Sequence, residues 1–398
     1  MKKIQNILLP LLILICCAIP DTSKGCTSAI ISADMNPYGR PLLWKHRDTS
    51  TTDNNVEYVP SSNGSYSYVA LFDAKDKDLT QAWTGMNDVG FAIMNTASFN
   101  IKRDKVPNQK MDREGFVMAR ALQTCKSIDD FALLLETLPR PMGVEANFGV
   151  IDAAGNGAFF ETNNNSYKRY DLKDAENGVL IRTNYSHSGT KGKGYGYTRE
   201  ADAAEMLSPY LEKRAVTPEV LTEVLSRSFY DSKKRANYCT VDISDPADIR
   251  IISTDSTQFV MDKVDEVIPR YKSTATMVIE GCRPIQDLAT IEPGSLADEY
   301  IMWTGLGYPP CSEIVPVWCR PDGVPAELTG SGENGHSVMG DKVKARRDDV
   351  FSSKKESKDN YMDMTKLFNS DGSGYLQVLI PQNLETYRQA RMCRDGKR

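Results

Sequence analysis

The sequence predicts an α+β fold of stacked sheets and helices, on two observations. Short β-branched or alternating segments joined by Asn/Gly turns recur from Thr27 onward. They are interleaved with helical segments: 112–125 followed by 127–138, and 199–211 followed by a stretch opening at Pro218. Hairpins alternating with helix pairs bury their apolar faces best as layers. No repeat and no sharp break in composition marks a domain boundary, so residues 26–398 read as one domain with a C-terminal extension.

Taken in order, 27–32 and 41–45 flank a polar loop holding Asn36-Pro37 and Gly39, which reads as a hairpin. Segments 67–73 and 81–84 read as strands, 85–90 as a turn and 91–95 as the strand after it. Val117, Ala119 and Leu122 follow helical spacing within 112–125, and Ser127 with Asp130 forms a capping box for 127–138. Segments 147–152 and 157–162 flank Gly155-Asn156, a hairpin signal. Strand 179–183 and helix 199–211 follow, and Thr217 caps a helix starting at Pro218. Segments 239–243, 249–253, 276–280, 299–304 and 314–319 read as strands. Residues 323–347, including the basic run 342–347, read as a solvated loop, 369–374 as a turn, and 381–392 as a closing helix with Pro381 in its first turn.

The chain is 40% hydrophobic and 25% charged, with a net charge of −5. That is ordinary globular composition, and no basic patch of nucleic-acid type stands out. At the N-terminus Lys2 and Lys3 precede an apolar run, 7–19, too short to span a bilayer comfortably. Pro20 ends it, and Ser23 and Gly25 are the small residues signal peptidase accepts. Residues 1–25 therefore read as a signal peptide, and Cys26 as the first residue of an exported mature chain, periplasmic or extracellular, with no membrane span after cleavage. A lipoprotein anchor on Cys26 is the alternative, and Lys24 before it argues against that route.

The mature chain would hold seven cysteines, leaving at least one thiol unpaired, which a reactive Cys26 would supply. Cys311 and Cys319 could pair across a short loop, while Cys125 and Cys239 read as buried thiols. No CxxC or Cys/His spacing suggests zinc, and no cofactor motif is present. An N-terminal Cys carries its own base. The thiolate attacks, and the α-amine, titrating near 7.7–8.0, accepts the thiol proton. That dispenses with histidine, of which the chain has three. His46, His187 and His336 read as surface or supporting residues.

Cys26-Thr27-Ser28, a hairpin, then Gly39-Arg40-Pro41-Leu42-Leu43-Trp44-Lys45-His46-Arg47-Asp48 resembles the N-terminus of the choloylglycine hydrolase and acid ceramidase superfamily. It looks particularly like the branch of penicillin acyltransferase-like amidases. The resemblance implies a four-layer αββα N-terminal-nucleophile sandwich acting on a small-molecule amide, often as a homo-oligomer. Asp48 matches the aspartate that holds the amine. The family arginine falls on Lys45, with Arg47 adjacent. Strand alternation puts Lys45 and Arg47 opposite Asp48, so a bulge or the strand end must re-aim one of them.

Residues 85–92 resemble the segment that leads into an oxyanion-side residue, Asn95 or, two places on, Ala97. Residues 148–161 resemble a hairpin ending in Glu, Thr183-Asn184 the pair whose amide stabilises the oxyanion, and Arg199 the late active-site arginine. Tyr185 and Tyr195 could line an acyl pocket, and 192–196 its rim. The resemblance leaves hydrolysis and acyl transfer to an amine both open. A Cys26-lipidated binding protein is the reading from another class.

Overall fold

A computed structural model describes residues 25–102, 104–245, 249–253, 258–260, 266–353 and 360–396. Residues 1–24 of the expected signal peptide lie outside them. The first six strands are β1 (Thr27–Ile31), β2 (Leu42–Asp48), β3 (Asn54–Val59), β4 (Tyr68–Asp73), β5 (Thr84–Asn87) and β6 (Ala92–Ala97). Helices α1 (Glu114–Thr124) and α2 (Ile128–Thr137) precede β7 (Ala146–Ile151), β8 (Gly157–Thr162), β9 (Tyr167–Asp171) and β10 (Val179–Arg182). Then come α3 (Tyr197–Glu212), a π-helix (Val220–Leu225), β11 (Phe229–Asp231), β12 (Ala236–Asp242), β13 (Arg250–Ser253) and β14 (Gln258–Val260). The rest are β15 (Ser273–Glu280), β16 (Ile301–Leu306), β17 (Val315–Val317), α4 (Val338–Val350), β18 (Phe351–Ser353), β19 (Asn360–Asp363) and α5 (Tyr375–Asp395).

Two antiparallel sheets form the centre. Among the described residues one is ordered β10-β1-β2-β15-β16-β17 and the other β3-β4-β5-β6-β7-β8-β9. Alternation along β4 sends Tyr68, Ala70 and Phe72 to a cluster with α1 and α2, and Val69 and Leu71 to the core between the sheets. On the far side, α3, the π-helix and α5 cover the first sheet. The order is therefore helix, sheet, sheet, helix, the four-layer arrangement the resemblance implies. The stretch after residue 255 supplies three of the six strands of the first sheet.

Strand β2 lies between β1 and β15 and is buried along its whole length. It nevertheless carries Lys45, His46, Arg47 and Asp48. Charges so placed need partners, because an unpaired buried ion is strongly destabilising.

Several expectations are corrected. The strand expected at 81–84 is Thr84–Asn87, so Gly85 to Asn87 belong to a strand and only the residues just after them turn. The polar stretch 323–347 contains α4, capped by Ser337 Oγ accepting from the Gly340 N–H at 3.2 Å. Its buried stripe is Met339, Val343, Arg347 and Val350, and the arginine in the stripe hides the apolar period. Helix α5 starts six residues before Pro381, where the Gln377 side chain accepts the Gly374 N–H at 3.2 Å. Cys311 and Cys319 are unbonded. Strand β17 runs between them and pairs with β16 instead of folding back.

The Ser127–Asp130 capping box forms as read. Strands β3 and β9, both edges of the second sheet, had no sequence signal. No helix among the described residues is long and apolar enough to cross a membrane.

Candidate active site

Cys26 is the half-buried residue at which the chain enters the first sheet. Antiparallel pairing sets Thr27 opposite His46 and Ser28 opposite Lys45. Paired residues share a face, so the Cys26 side chain lies on the side of Lys45 and Arg47, between the sheets. His46 and Asp48 take the other face, toward the outer helices. The Cys26 Sγ lies 3.9 Å from the backbone oxygen of Asp48.

Asp48 ends β2 and is not re-aimed. The irregularity in this register falls on β15, between Ser273 and Ala275, and not on β2. The Asp48 carboxylate stays on the helix-side face and is met there. Arg270 donates to Oδ2 from Nε at 3.0 Å and Nη2 at 2.6 Å, and Ser273 Oγ donates to Oδ1 at 2.6 Å. The same Nη2 donates to the carbonyl of Gly25 at 3.0 Å. One guanidinium thus holds both the carboxylate and the residue before Cys26.

His46 Nε2 is 2.9 Å from Ser273 Oγ, and burial pushes its pKa down to about 4, so the ring is neutral at ordinary pH. It stands on the face opposite the thiol. His187 contacts Glu200, and His336 stands between Asp53 and Asp341. These last three are the one cluster among the described residues with metal-ligand geometry, and Lys344 already lies 3.3 Å from Asp53.

Lys45 crosses the gap between sheets. Its Nζ donates to Asn95 Oδ1 at 2.7 Å and to the Trp83 carbonyl at 2.6 Å. Burial lowers its pKa to about 7, with the charges of Cys26 and Asp73 opposing and that of Arg47 adding to the fall. It has no carboxylate partner within ion-pair distance among the described residues. Arg47 goes elsewhere: it pairs with Asp73 at 2.8 Å, bonds Asn54 and lies over the Trp83 ring. Of the two cations, Lys45 stays with the site and Arg47 ties the sheets together.

Arg199, in the first turn of α3, reaches Cys26 from the helix side. Nη1 donates to the Cys26 carbonyl at 2.7 Å and to Thr27 Oγ1 at 3.0 Å, and Nη2 to Asn184 Oδ1 at 2.8 Å. Burial lowers its pKa to about 10, with Arg270 contributing. Gly196, just before the helix, has φ +89°, and a Cβ there would lie 2.5 Å from Arg199 Nη2. Gly196→Ala is expected to strain the left-handed turn by about 1–2 kcal/mol, displace Arg199 and lower kcat/KM at least tenfold. Thermal melts and steady-state kinetics on the same preparation check both effects.

Asn184 Nδ2 donates to the Ala97 carbonyl at 3.0 Å. Both positions weighed on β6 therefore touch the site, Asn95 by its side chain and Ala97 by its backbone. The loop carrying Asn184 is pinned from beneath. Asn147 donates to the carbonyls of Thr183 at 3.2 Å and Tyr185 at 3.0 Å. Glu161, opposite Asn147 in register, accepts from Arg182 at 2.7 Å, the His187 N–H at 2.9 Å and the Ser188 N–H at 2.7 Å.

The structure thus brings Cys26, Lys45, Asp48, Asn95, Asn184 and Arg199 together and turns Arg47 away. Sequence reasoning missed Arg270, Ser273 and Asn147. Arg270 sits in no motif; the place of β15 beside β2 brings it to Asp48, and only the sheet order reveals that. Asn147 had a weak signal in its position at the head of a recognised hairpin.

No curated protein matches the chain in sequence. Among solved structures, an ortholog of N-acylethanolamine-hydrolyzing acid amidase from Caenorhabditis elegans is 15% identical, covers 68% of this chain and 97% of its own, and has a TM-score of 0.42. A variant of conjugated bile acid hydrolase from Clostridium perfringens is 11% identical over 74% of this chain and 92% of its own, with a TM-score of 0.41. Penicillin V acylase from Agrobacterium tumefaciens is 10% identical over 74% and 86%, with a TM-score of 0.39. The model of the family described as acyl-coenzyme A:6-aminopenicillanic acid acyl-transferase matches residues 36–287, from the first hairpin through β15. With well over half its length matched, and the strands that converge on Cys26 largely inside the match, the chain belongs to the acyl-coenzyme A:6-aminopenicillanic acid acyl-transferase family.

Proposed function

We propose that the chain is an exported linear-amide C–N hydrolase whose nucleophile is the thiol of an N-terminal Cys26. The observation that carries this reading is the convergence of Arg199, Lys45 and the Asp48–Arg270 pair on Cys26, where the chain enters the first sheet. Membership of an acyl-transferring family supports chemistry at an acyl–nitrogen bond. The composition of residues 1–25 supports export and a mature chain that begins at Cys26.

In this reading removal of Gly25 leaves a primary amine at Cys26. Asp48, on the helix-side face, anchors that amine, and the thiol faces the gap between sheets. The amine takes the thiol proton, and sulfur attacks the amide carbon. The second N–H of Asn184 Nδ2, the one not given to Ala97, donates to the oxyanion; such a donor contributes about 3 kcal/mol. The C–N bond breaks as the amine returns the proton to the leaving nitrogen. Water, deprotonated by the same amine, then hydrolyses the thioester.

Lys45 places a cation on the thiol's side of the sheet. That cation is held below about pH 7 and lost above it. Turnover is therefore expected to fall on the alkaline side as Lys45 deprotonates. Lys45→Arg, whose guanidinium stays charged, is expected to remove that falling limb. A kcat/KM profile from pH 6 to 10 on both proteins checks this, and superimposable profiles would contradict it.

The second reading, transfer of the acyl group to an amine, is favoured by the family's description. Product analysis on an amide panel with added amine separates the two. Free acid alone supports hydrolysis, and a new amide supports transfer. No turnover of any amide by protein verified to begin at Cys26 would overturn both.

A further inference from the structure

A cavity of about 650 Å³ opens in the outer helical layer, and no residue of the Cys26 site lines it. Its walls are Met206 and Tyr210 of α3, Val220 and Val224 of the π-helix, Val241 of β12 and Leu384 of α5. This volume falls in the range of small-molecule sites, roughly 300–1,000 Å³. Beside a polar rim that includes Thr217, Ser228, Asn237 and Thr240, the apolar part of the wall favours an aliphatic group over water.

The wall between α3 and α5 is unusual in its own right. Val220–Leu225 is wound as a π-helix, a rare form that is frequent at functional sites. It presents Val220 and Val224 to the cavity while Thr222 Oγ1 meets Tyr387 Oη of α5 at 2.5 Å. The turn is thus fixed from behind and shaped toward the void.

Four charged side chains border the cavity: Glu205, Lys213, Glu219 and Asp242. Arg391 holds Glu219 through two bonds, one of 2.8 Å. Arg250 and the Ser244 N–H, the latter at 2.9 Å, hold Asp242. Glu205 accepts from Tyr230 Oη at 2.6 Å. Lys213 alone of the four has no hydrogen-bond or ion-pair partner for its ammonium among the described residues. Lys213 follows the last residue of α3, eight positions and about 12 Å of helical rise beyond Glu205.

We infer that this cavity is a second binding site, distinct from Cys26, for an apolar carboxylic acid whose carboxylate pairs with Lys213 and whose chain lies along Val220, Val224 and Val241. Lys213, whose ammonium has no partner among the described residues, sets the head of the ligand as an anion, and Val220, Val224 and Val241 set its body as aliphatic. The site does not depend on the chemistry proposed for Cys26, and its test needs no turnover.

The test is calorimetric titration of the full chain carrying Cys26→Ala with decanoate, decanol and decylamine. Decanoate is expected to bind one per chain and at least tenfold more tightly than either of the others. Lys213→Glu, an exposed change that leaves the melting temperature in place, is expected to weaken decanoate at least tenfold and to spare decanol. Val224→Trp puts an indole across the apolar wall of the cavity and is expected to weaken binding of all three at least tenfold, with a cooperative melt as its control for folding. Decylamine binding as tightly as decanoate, or Lys213→Glu binding decanoate as the parent does, would overturn the assignment.

Discussion

Cys26→Ala is expected to abolish amide turnover, and Cys26→Ser to lose most of it. The expectation follows from what else surrounds the thiol. His46 is on the other face of the sheet, with its pKa pushed down to about 4, and His187 and His336 contact carboxylates of their own. No neighbouring imidazole takes over as base or nucleophile. Where an enzyme's nucleophile is removed and binding alone remains, losses approach about 10⁶-fold. A hydroxyl is a weaker nucleophile than a thiol near neutral pH, so serine retains only a small remainder. The measurement is kcat/KM on the best amide of the panel, with the melting temperature showing that each variant folds. A protein that keeps Gly25 ahead of Cys26 is expected to be equally silent, because the base is then an amide nitrogen. Normal turnover by Cys26→Ala would refute the assignment.

Asp48→Asn is expected to lower turnover about 100-fold and stability by about 3–5 kcal/mol. The carboxylate is fully buried and accepts from Arg270 twice and from Ser273 once. Asparagine keeps the shape and removes the charge. It also turns one oxygen into an N–H₂ that must face a donor. Breaking a buried pair from one side costs about 3–5 kcal/mol. A shift of about 1 Å in the amine that Asp48 anchors accounts for a loss of about 10² in rate. Kinetics run well below the variant's melting temperature separate the two effects. Unchanged turnover in a destabilised protein would leave Asp48 a structural residue and remove its proposed role.

The elements nearest the site were the most legible. The β1–β2 hairpin, the β7–β8 hairpin and the start of α3 each carry a local signal, and they deliver Cys26, Asp48, Glu161 and Arg199. What was hidden is what long-range pairing decides. Arg270 and Ser273 reach Asp48 because β15 inserts beside β2, more than two hundred residues away in sequence. No local pattern encodes that neighbour. Alternation separated Lys45 and Arg47 from Asp48, as the structure does, but the expected re-aiming did not follow. The Asp48 carboxylate found its partners on its own face, and Arg47 found Asp73 on the opposite sheet. Helix α4 was hidden for a different reason: a buried arginine, Arg347, lying over the Tyr271 ring, fills an apolar place in its stripe.

The proposed chemistry passes through a covalent intermediate at one sulfur. Active protein mixed with its amide, quenched in acid within a turnover and digested, is expected to yield a peptide that begins at Cys26 and carries the acyl mass on that residue. An acyl group on any other residue, or a turning-over enzyme whose first peptide still extends ahead of Cys26, would contradict it.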